Sequence, residues 1–201
     1  MASSLLTPQA DASQLGKSEQ LSKRGYDYLS EAELEALLKG AKATRYGLRD
    51  HLAVLLAYRH GLRASELVAL EWIQVDFNAA RLDVRRVKRG VPSRHDLGGD
   101  ELRLLRRLQR EQPPGTRFLF TSERGGPWAS VSFSRMVERL GEKALPGRGV
   151  HAHMLRHSCG HHLAAKGVDT RRIQDYLGHR RIDSTQVYTQ LQSTHLRGIW
   201  D

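Results

Sequence analysis

Apolar residues near the start of this chain recur at the spacing of a helix. Ser30 and Glu33 form a capping box, and four apolar residues follow at helical intervals, namely Leu34, Leu37, Leu38 and Ala41. This pattern predicts a first helix over residues 31–41. A mostly apolar segment over 49–59, stopped by Gly61, predicts a second helix that is buried on most sides.

The pattern changes between Trp72 and Leu97, where Val, Ile and Phe are interleaved with polar residues. This alternation predicts two or three short antiparallel strands and places Lys88 at a hairpin tip. We expect further helices at these positions: a short one capped by Ser65, one of about twelve residues from Asp100, one from a cap at Ser130 to about Leu140, and three near 152–166, 170–177 and 183–192. The sequence therefore predicts a mainly helical α+β fold with a small antiparallel sheet.

The first residues differ from the rest in composition. Residues 1–25 are rich in Ser, Gln and charge, which predicts a flexible N-terminal arm ahead of one folded domain over 26–201. No secretory signal and no 18-residue apolar run is present, so we expect no membrane partner. Cys159 is the single cysteine and can form neither an intramolecular disulfide nor a thiolate cluster. These features predict a cytoplasmic protein.

The charge balance narrows the class of partner. The chain has 32 Lys and Arg residues against 22 Asp and Glu residues, a formal net charge of +10 and a pI of about 10.2. Such a balance favours a polyanionic partner, although ribosomal and membrane-surface proteins share it. Because no basic amphipathic helix or membrane anchor is present, nucleic acid is the expected partner.

Four stretches carry recognisable motifs: GLRASELVAL (61–70), RVKRG (86–90), HAHMLRHSCGHHLA (151–164) and LGHRRIDSTQVYT (177–189). In order and spacing they resemble the tyrosine recombinase, or phage integrase, family over residues 29–191. Any one of them alone would be a weak signal. Most members of that family carry a further helical domain ahead of the catalytic one. This chain is similar instead to the short members that invert fimbrial promoter elements.

The resemblance implies a catalytic set of six residues: Arg63, Lys88, His153, Arg156, His179 and Tyr188. It implies that Tyr188 is the nucleophile and that Lys88 protonates the leaving 5′ oxygen. It also implies supporting roles for His157 and for Glu66. Lys88 is flanked by Arg85, Arg86 and Arg89. An alternative role for this basic hairpin tip is to bind phosphates of the DNA backbone.

The residue types suit attack on a phosphodiester. An arginine at position 63 can place its planar guanidinium on two phosphate oxygens, although an ion pair with Glu66 is an alternative reading. His153 and Arg156 lie three apart and project from one face of a helix. A phenol with a pKa near 10 attacks poorly at neutral pH, so Tyr188 needs neighbouring cations.

Other readings stay open. His153, His157 and His161 are spaced four apart and could hold a metal, but the glutamate of a zinc-protease helix is missing. The family resemblance implies a 3′-phosphotyrosyl intermediate on double-stranded DNA, no metal, no ATP or other cofactor, and a homo-tetramer on paired sites. A type IB topoisomerase and an inactive DNA-binding regulator are the alternatives.

The last residues of the chain carry a further expectation, which concerns assembly. Thirteen residues follow Tyr188 and include the apolar Leu191, Leu196, Ile199 and Trp200. These residues leave an apolar edge that a short tail cannot easily bury on its own domain. The resemblance implies that the tail docks on a neighbouring protomer, and the alternative is that it folds back on its own domain or frays.

Overall fold

A computed structural model describes residues 27–87, 90–181 and 183–190. The helices in this part are α1 (Glu31–Lys42), α2 (Gly47–Arg59), α3 (Ala64–Val68), α4 (Gly99–Glu111), α5 (Ser130–Ala144), α6 (Ala152–Ala165), α7 (Thr170–Leu177) and α8 (Asp183–Gln190). A 3₁₀ turn (Trp72–Gln74) leads into β1 (Val75–Asp76), β2 (Arg81–Val84) and β3 (Ser93–Asp96). The expected class, mainly helical α+β with a small antiparallel sheet, is confirmed.

Helix α2 is the central element of the main hydrophobic core. Every residue from Asp50 to Ala57 is buried, as the apolar run predicted. Helices α1, α4 and α6 pack around it, which accounts for burial on most of its circumference. The helix ends beside Gly61, whose positive φ of 56° suits glycine and turns the chain toward α3.

The sheet is a meander in the order β1-β2-β3. Leu82 pairs with Val75 on one side and with His95 on the other. Positions 82, 84 and 86 are buried while 81, 83 and 85 are exposed, so one face of this segment points into the molecule. Strand β3 packs against α7, which links the hairpin to the C-terminal helices.

The C-terminal helices form a second, smaller hydrophobic cluster. Its buried members come from α6, α7 and α8 and are Cys159, Ala164, Ile173, Leu177 and Tyr188. No helix among the described residues is long and apolar enough to cross a bilayer.

Three sequence expectations about helix ends need correction. The N-cap of α3 is Arg63, whose backbone N–H donates to Glu66 Oε2 at 3.0 Å, whereas Ser65 lies inside the helix and is exposed. Ser130 is the first residue of α5 rather than its cap, and that helix continues to Ala144. Lys88, the expected arm over 1–25 and the tail over 191–201 lie outside the described residues.

A buried polar cluster joins the hairpin to α2 and α4. His60 Nε2 lies 3.1 Å from Glu101 Oε1, and His60 Nδ1 lies 3.2 Å from His95 Nδ1. His95 Nε2 is 2.8 Å from Ser93 Oγ, and the His95 ring lies on Tyr176 with 3.9 Å between ring centroids. Burial, with the adjacent His60 and Arg86, lowers the pKa of His95 to about 2.

This cluster predicts acid sensitivity of the fold. Below an ordinary histidine pKa of about 6.5, residue 95 takes up a proton in the unfolded chain but stays neutral in the folded protein. The unfolding free energy should therefore fall as the pH falls, and His95 alone should contribute up to about 1.4 kcal/mol per pH unit. Urea unfolding between pH 7.5 and 5 would measure the slope. The variant His95→Gln keeps hydrogen-bonding groups but cannot titrate, and we expect a shallower slope. Equal slopes in both proteins would contradict the assignment.

Candidate active site

Glu66 lies at the centre of a cluster of arginines. Its Oε1 is 2.7 Å from Arg63 Nη1, and its Oε2 is 3.0 Å from Arg86 Nη1 and 3.8 Å from Arg156 Nη1. Burial would raise the pKa of Glu66, but the hydrogen bond from the Arg63 backbone and the charge of Arg86 outweigh burial and lower it. Glu66 is therefore ionised at neutral pH.

Arg156 is held by the backbone at two helix ends. Its Nη1 donates to the carbonyl of Gly61, and its Nη2 donates to the carbonyl of Leu177 at 2.8 Å. The residue is 1% exposed. Burial, with the charges of Arg63 and Arg86, lowers its pKa to about 10, which still leaves the guanidinium charged at neutral pH.

Arg86 also belongs to this cluster, although the catalytic set expected from the sequence did not include it. Its Nη2 donates to the carbonyls of Tyr176 at 2.6 Å and His60 at 3.2 Å, in addition to the contact with Glu66. The alternation of exposed and buried positions through β2 continues to residue 86 and could have identified an inward-facing arginine. Arg86 thus ties the hairpin to α2, α3 and α7.

The charges in this cluster do not balance. One carboxylate faces three guanidinium groups, and the Arg63 side chain remains 30% exposed. Burying positive charge in excess is costly unless an anion arrives to compensate it. The cluster is therefore suited to bind an anionic group at the open side of Arg63.

Tyr188 packs against helix α6. Its hydroxyl lies 3.2 Å from His157 Nδ1, and the residue is 2% exposed. A Cβ atom at Gly160 would lie 2.6 Å from Tyr188 Cε2, so the ring needs a glycine beneath it. Burial raises the pKa of Tyr188, and the positive charges of Arg156 and Arg63 act against that rise.

The two expected catalytic histidines lie near this tyrosine. His179 follows Gly178, whose left-handed conformation (φ 67°) ends α7, and its ring stacks on Tyr188 with 6.3 Å between centroids. His179 Nδ1 is 2.9 Å from Thr185 Oγ1. The ring of His153 meets His157 edge to face at 4.5 Å between centroids.

Both histidines are neutral at neutral pH in the free protein. Burial and the charges of Arg156 and Arg63 lower the pKa of His179 to about 4. Partial desolvation, with His157 and Arg156 nearby, lowers the pKa of His153 to about 4 as well, although the residue is exposed to solvent. Neutral imidazoles can donate hydrogen bonds to a phosphate oxygen.

The structure thus brings five of the six candidates into one region, since Arg63 and Arg156 meet at Glu66 and the other three surround or include Tyr188. Lys88 lies outside the described residues. Within the described part of the chain, no three His, Cys, Asp or Glu side chains form a group that could hold a metal ion.

Comparison with known proteins shows the family of this chain. The model of the phage integrase family matches residues 27–195. Type 1 fimbriae regulatory protein FimE of Escherichia coli strain K12 is 38% identical over 179 residues, which cover 87% of this chain and 90% of FimE. Tyrosine recombinase XerC of Xylella fastidiosa strain 9a5c is 35% identical over 162 residues, which cover 79% of this chain and 54% of XerC.

Solved structures show the same fold. The crystal structure of XerA recombinase superimposes with a TM-score of 0.73 at 29% identity, covering 85% of this chain and 62% of XerA. The chain therefore spans about three fifths of the XerA length. It belongs to the phage integrase family, the class of tyrosine-type site-specific DNA recombinases. The recombinase class expected from the sequence is confirmed at the level of the family.

The arginine cluster should be sensitive to loss of its carboxylate. Replacing Glu66 with Gln would leave three guanidinium groups without a buried counter-charge, and we expect the unfolding free energy to fall by about 3 kcal/mol. Urea denaturation at pH 7.5 would measure it. A matched control is Glu71→Gln, since Glu71 pairs at 2.8 Å with Arg117, whose side chain is 71% exposed. The control should lose much less stability, because solvent screens an ion pair with an exposed arginine. Similar losses in both variants would contradict a special role for Glu66.

The contact between Gly160 and the nucleophile candidate gives a second prediction. Gly160→Ala should displace the Tyr188 ring and lower the unfolding free energy by about 1–3 kcal/mol through overpacking. Gly40→Ala is the control, because a Cβ there would meet only ordinary contacts at 3.8 Å and would favour the helix. Denaturation of both variants would test this. Unchanged stability of Gly160→Ala would show that the ring does not need this space.

Proposed function

We propose that this protein is a cytoplasmic site-specific DNA recombinase that cleaves and rejoins strands through a 3′-phosphotyrosyl link at Tyr188. The observation that carries the proposal is the excess of guanidinium charge around Glu66 beside a buried tyrosine whose hydroxyl contacts an imidazole. That combination supplies an anion site and a nucleophile in one place. Family membership gives the same class of reaction.

The arginines bind and stabilise the reacting phosphate. Arg63, the partly exposed member, places its guanidinium on the non-bridging oxygens, and buried Arg156 supplies fixed positive charge. Fixed charge is effective because the oxygens gain negative charge in the transition state and little reorganisation is needed. Glu66 holds both arginines in place.

The histidines supply hydrogen bonds to the same phosphate. His153 and His179 enter the reaction as neutral N–H donors, and an arriving phosphate raises their pKa values because it favours the protonated form. The family resemblance gives Lys88 the role of protonating the leaving 5′ oxygen. No ATP is needed, because the phosphotyrosyl bond retains the energy of the phosphodiester, and no step calls for a metal.

The partner is double-stranded DNA. The net charge of +10 favours it. Related folds have been solved with DNA, including XerH bound to its difH substrate (TM-score 0.73, 23% identity, covering 87% of this chain). We further propose a homo-tetramer on paired sites, in which residues 191–201 dock on a neighbouring protomer, and a division of the chain into an arm over 1–25 and a catalytic domain over 26–201.

Covalent trapping tests the nucleophile. A duplex with a nick next to the cleavage position releases the short fragment that carries the freed 5′-hydroxyl, so rejoining is blocked. The wild-type protein should then accumulate as a DNA-linked species on a denaturing gel. Tyr188→Phe should form none while still shifting the duplex in a native gel, because only the attacking oxygen is removed. Tyr46→Phe is the control, since the Tyr46 hydroxyl contacts Glu123 away from the arginine cluster, and it should link normally. A DNA-linked Tyr188→Phe protein would overturn the assignment.

The same protein with supercoiled plasmid separates the alternatives. Recombination that requires paired sites supports the proposal, whereas relaxation without any site would indicate a topoisomerase. Binding without cleavage would indicate a regulator. EDTA should leave the activity intact, and loss of activity restored by zinc would instead favour the histidines as a metal site.

A further inference from the structure

Asp27 contacts two histidines next to the proposed nucleophile. Its Oδ1 lies 2.9 Å from His151 Nε2, and its Oδ2 lies 3.4 Å from His157 Nε2. The other nitrogen of His157, Nδ1, lies 3.2 Å from the Tyr188 hydroxyl. A carboxylate, an imidazole and a phenol are therefore arranged in series. The sequence motifs did not include Asp27, because it lies 130 positions before His157.

The carboxylate near Nε2 favours the tautomer of His157 that carries its proton on that nitrogen. A neutral imidazole carries a single N–H, and an ionised carboxylate accepts hydrogen bonds but donates none. When His157 Nε2–H donates to Asp27, Nδ1 keeps its lone pair. That lone pair can accept the hydroxyl proton of Tyr188.

The segment that carries Asp27 is fixed to the rest of the molecule. The backbone N–H of Leu29 donates to Ser158 Oγ at 2.7 Å, and Arg148 Nη2 donates to the carbonyl of Tyr28 at 2.8 Å. The Tyr28 ring stacks on His161 at 3.9 Å between centroids. Because these contacts anchor the two residues that follow Asp27, backbone packing as well as its own side chain places Asp27 beside α6.

We propose that Asp27 is a positioning residue that holds His157 in the tautomer able to take the phenolic proton from Tyr188. The inference rests on the proposed function, in which Tyr188 is the nucleophile. Asp27 itself does not contact the reacting atoms. It acts through His157 in the way that a carboxylate orients the histidine of a hydrolytic triad.

The step balances as follows. The Tyr188 Oη proton passes to His157 Nδ1, and an Oη electron pair forms the bond to phosphorus. The bond from phosphorus to the 5′ oxygen breaks, and its electron pair stays on that oxygen, which takes a proton from the acid assigned to Lys88. In rejoining, the 5′-hydroxyl returns its proton to the group assigned to Lys88 and attacks phosphorus. The phosphotyrosyl bond breaks, and the phenolate recovers its proton from His157.

The electrostatics around His157 give the expected pH signature. Besides Asp27 and Tyr188, the titratable or charged groups that face it are His151, His153, Arg156, His161 and His179. Burial lowers the pKa of His157, and the charge of Asp27 opposes that change. Neutral His157 is the form that accepts a proton, so cleavage should decline as the pH falls through its pKa. Removing the Asp27 charge lowers that pKa further and should move the acidic limb of the profile to lower pH.

The experiment measures single-turnover formation of the DNA-linked species on the nicked duplex between pH 5 and 9. We expect Asp27→Asn to lower the plateau rate by roughly tenfold to hundredfold, less than the ~10²–10⁴ typical of losing a general base itself, and to shift the acidic limb to lower pH. Asp27→Glu should recover part of the rate. Duplex affinity in a native gel should not change in either variant.

A matched control comes from the next contact of the same kind. Glu31 Oε1 lies 3.5 Å from His162 Nδ1, so Glu31→Gln also removes an exposed carboxylate from a histidine of α6, but away from Tyr188. Its rate and pH profile should match the wild type. Long-range ¹⁵N NMR of the protein without DNA reports the tautomer directly, with His157→Gln identifying the signal. We expect the Nε2–H form in the wild type and a mixture in Asp27→Asn.

Several outcomes would overturn the inference. One is a wild-type rate and pH profile in Asp27→Asn. Another is a lower plateau rate in that variant with the acidic limb and the His157 tautomer unchanged. A third is faster cleavage by the variant, which would mean that Asp27 restrains Tyr188. Failure of the wild type to link to DNA, or linkage of Tyr188→Phe, would instead defeat the proposed function. The NMR tautomer would still decide whether Asp27 orders His157.

Discussion

Glu66 forms ion pairs with three arginines that come from separate parts of the chain, and two of them, Arg63 and Arg86, also donate hydrogen bonds to it. Arg63 caps the helix of Glu66, Arg86 follows strand β2, and Arg156 lies on α6. Without this carboxylate the three guanidinium groups would repel one another in a region with little water, where charge interactions are poorly screened. The approach of the hairpin and α6 to the end of α2 therefore depends on this one negative charge.

Backbone carbonyls also accept hydrogen bonds from the arginines that Glu66 contacts. Gly61 at the end of α2 accepts from Arg156 and Arg86, while Leu177 and Tyr176 at the end of α7 accept from Arg156 and Arg86 in turn. The last carbonyls of a helix lack partners within it and carry partial negative charge, so they suit guanidinium donors. The excess positive charge is thus fixed in place before any anion binds.

Helix α6 carries most of the remaining chemistry on one face. His153, Arg156, His157 and Gly160 recur three or four positions apart, so one rigid element aligns the imidazoles, the guanidinium and the space for the Tyr188 ring. The nucleophile itself comes from α8, and its hydroxyl meets α6 through His157. Small shifts of α8 against α6 would therefore move the nucleophile while leaving the three arginines around Glu66 in place.

Prediction from the sequence worked where the determining interactions are local. The helix expected over 170–177 is Thr170–Leu177, and the first expected helix differs from Glu31–Lys42 by one residue, because apolar periodicity and capping residues act within a few positions. The predicted N-cap of the third helix was wrong. Ser65 has the right residue type for a cap, but the Glu66 carboxylate accepts a hydrogen bond from the backbone of Arg63 and places Arg63 in that position.

The sequence by itself determined the helical pattern, the basic character and the motif residues, since each depends on residue type and short spacing. The tertiary structure alone decided that Arg86 joins the buried cluster, that Asp27 reaches His157, and that His95 stays neutral in acid. Those properties depend on burial and on contacts between residues 20 to 130 positions apart. Such contacts arise from the packing of whole helices, which no local pattern of residues encodes.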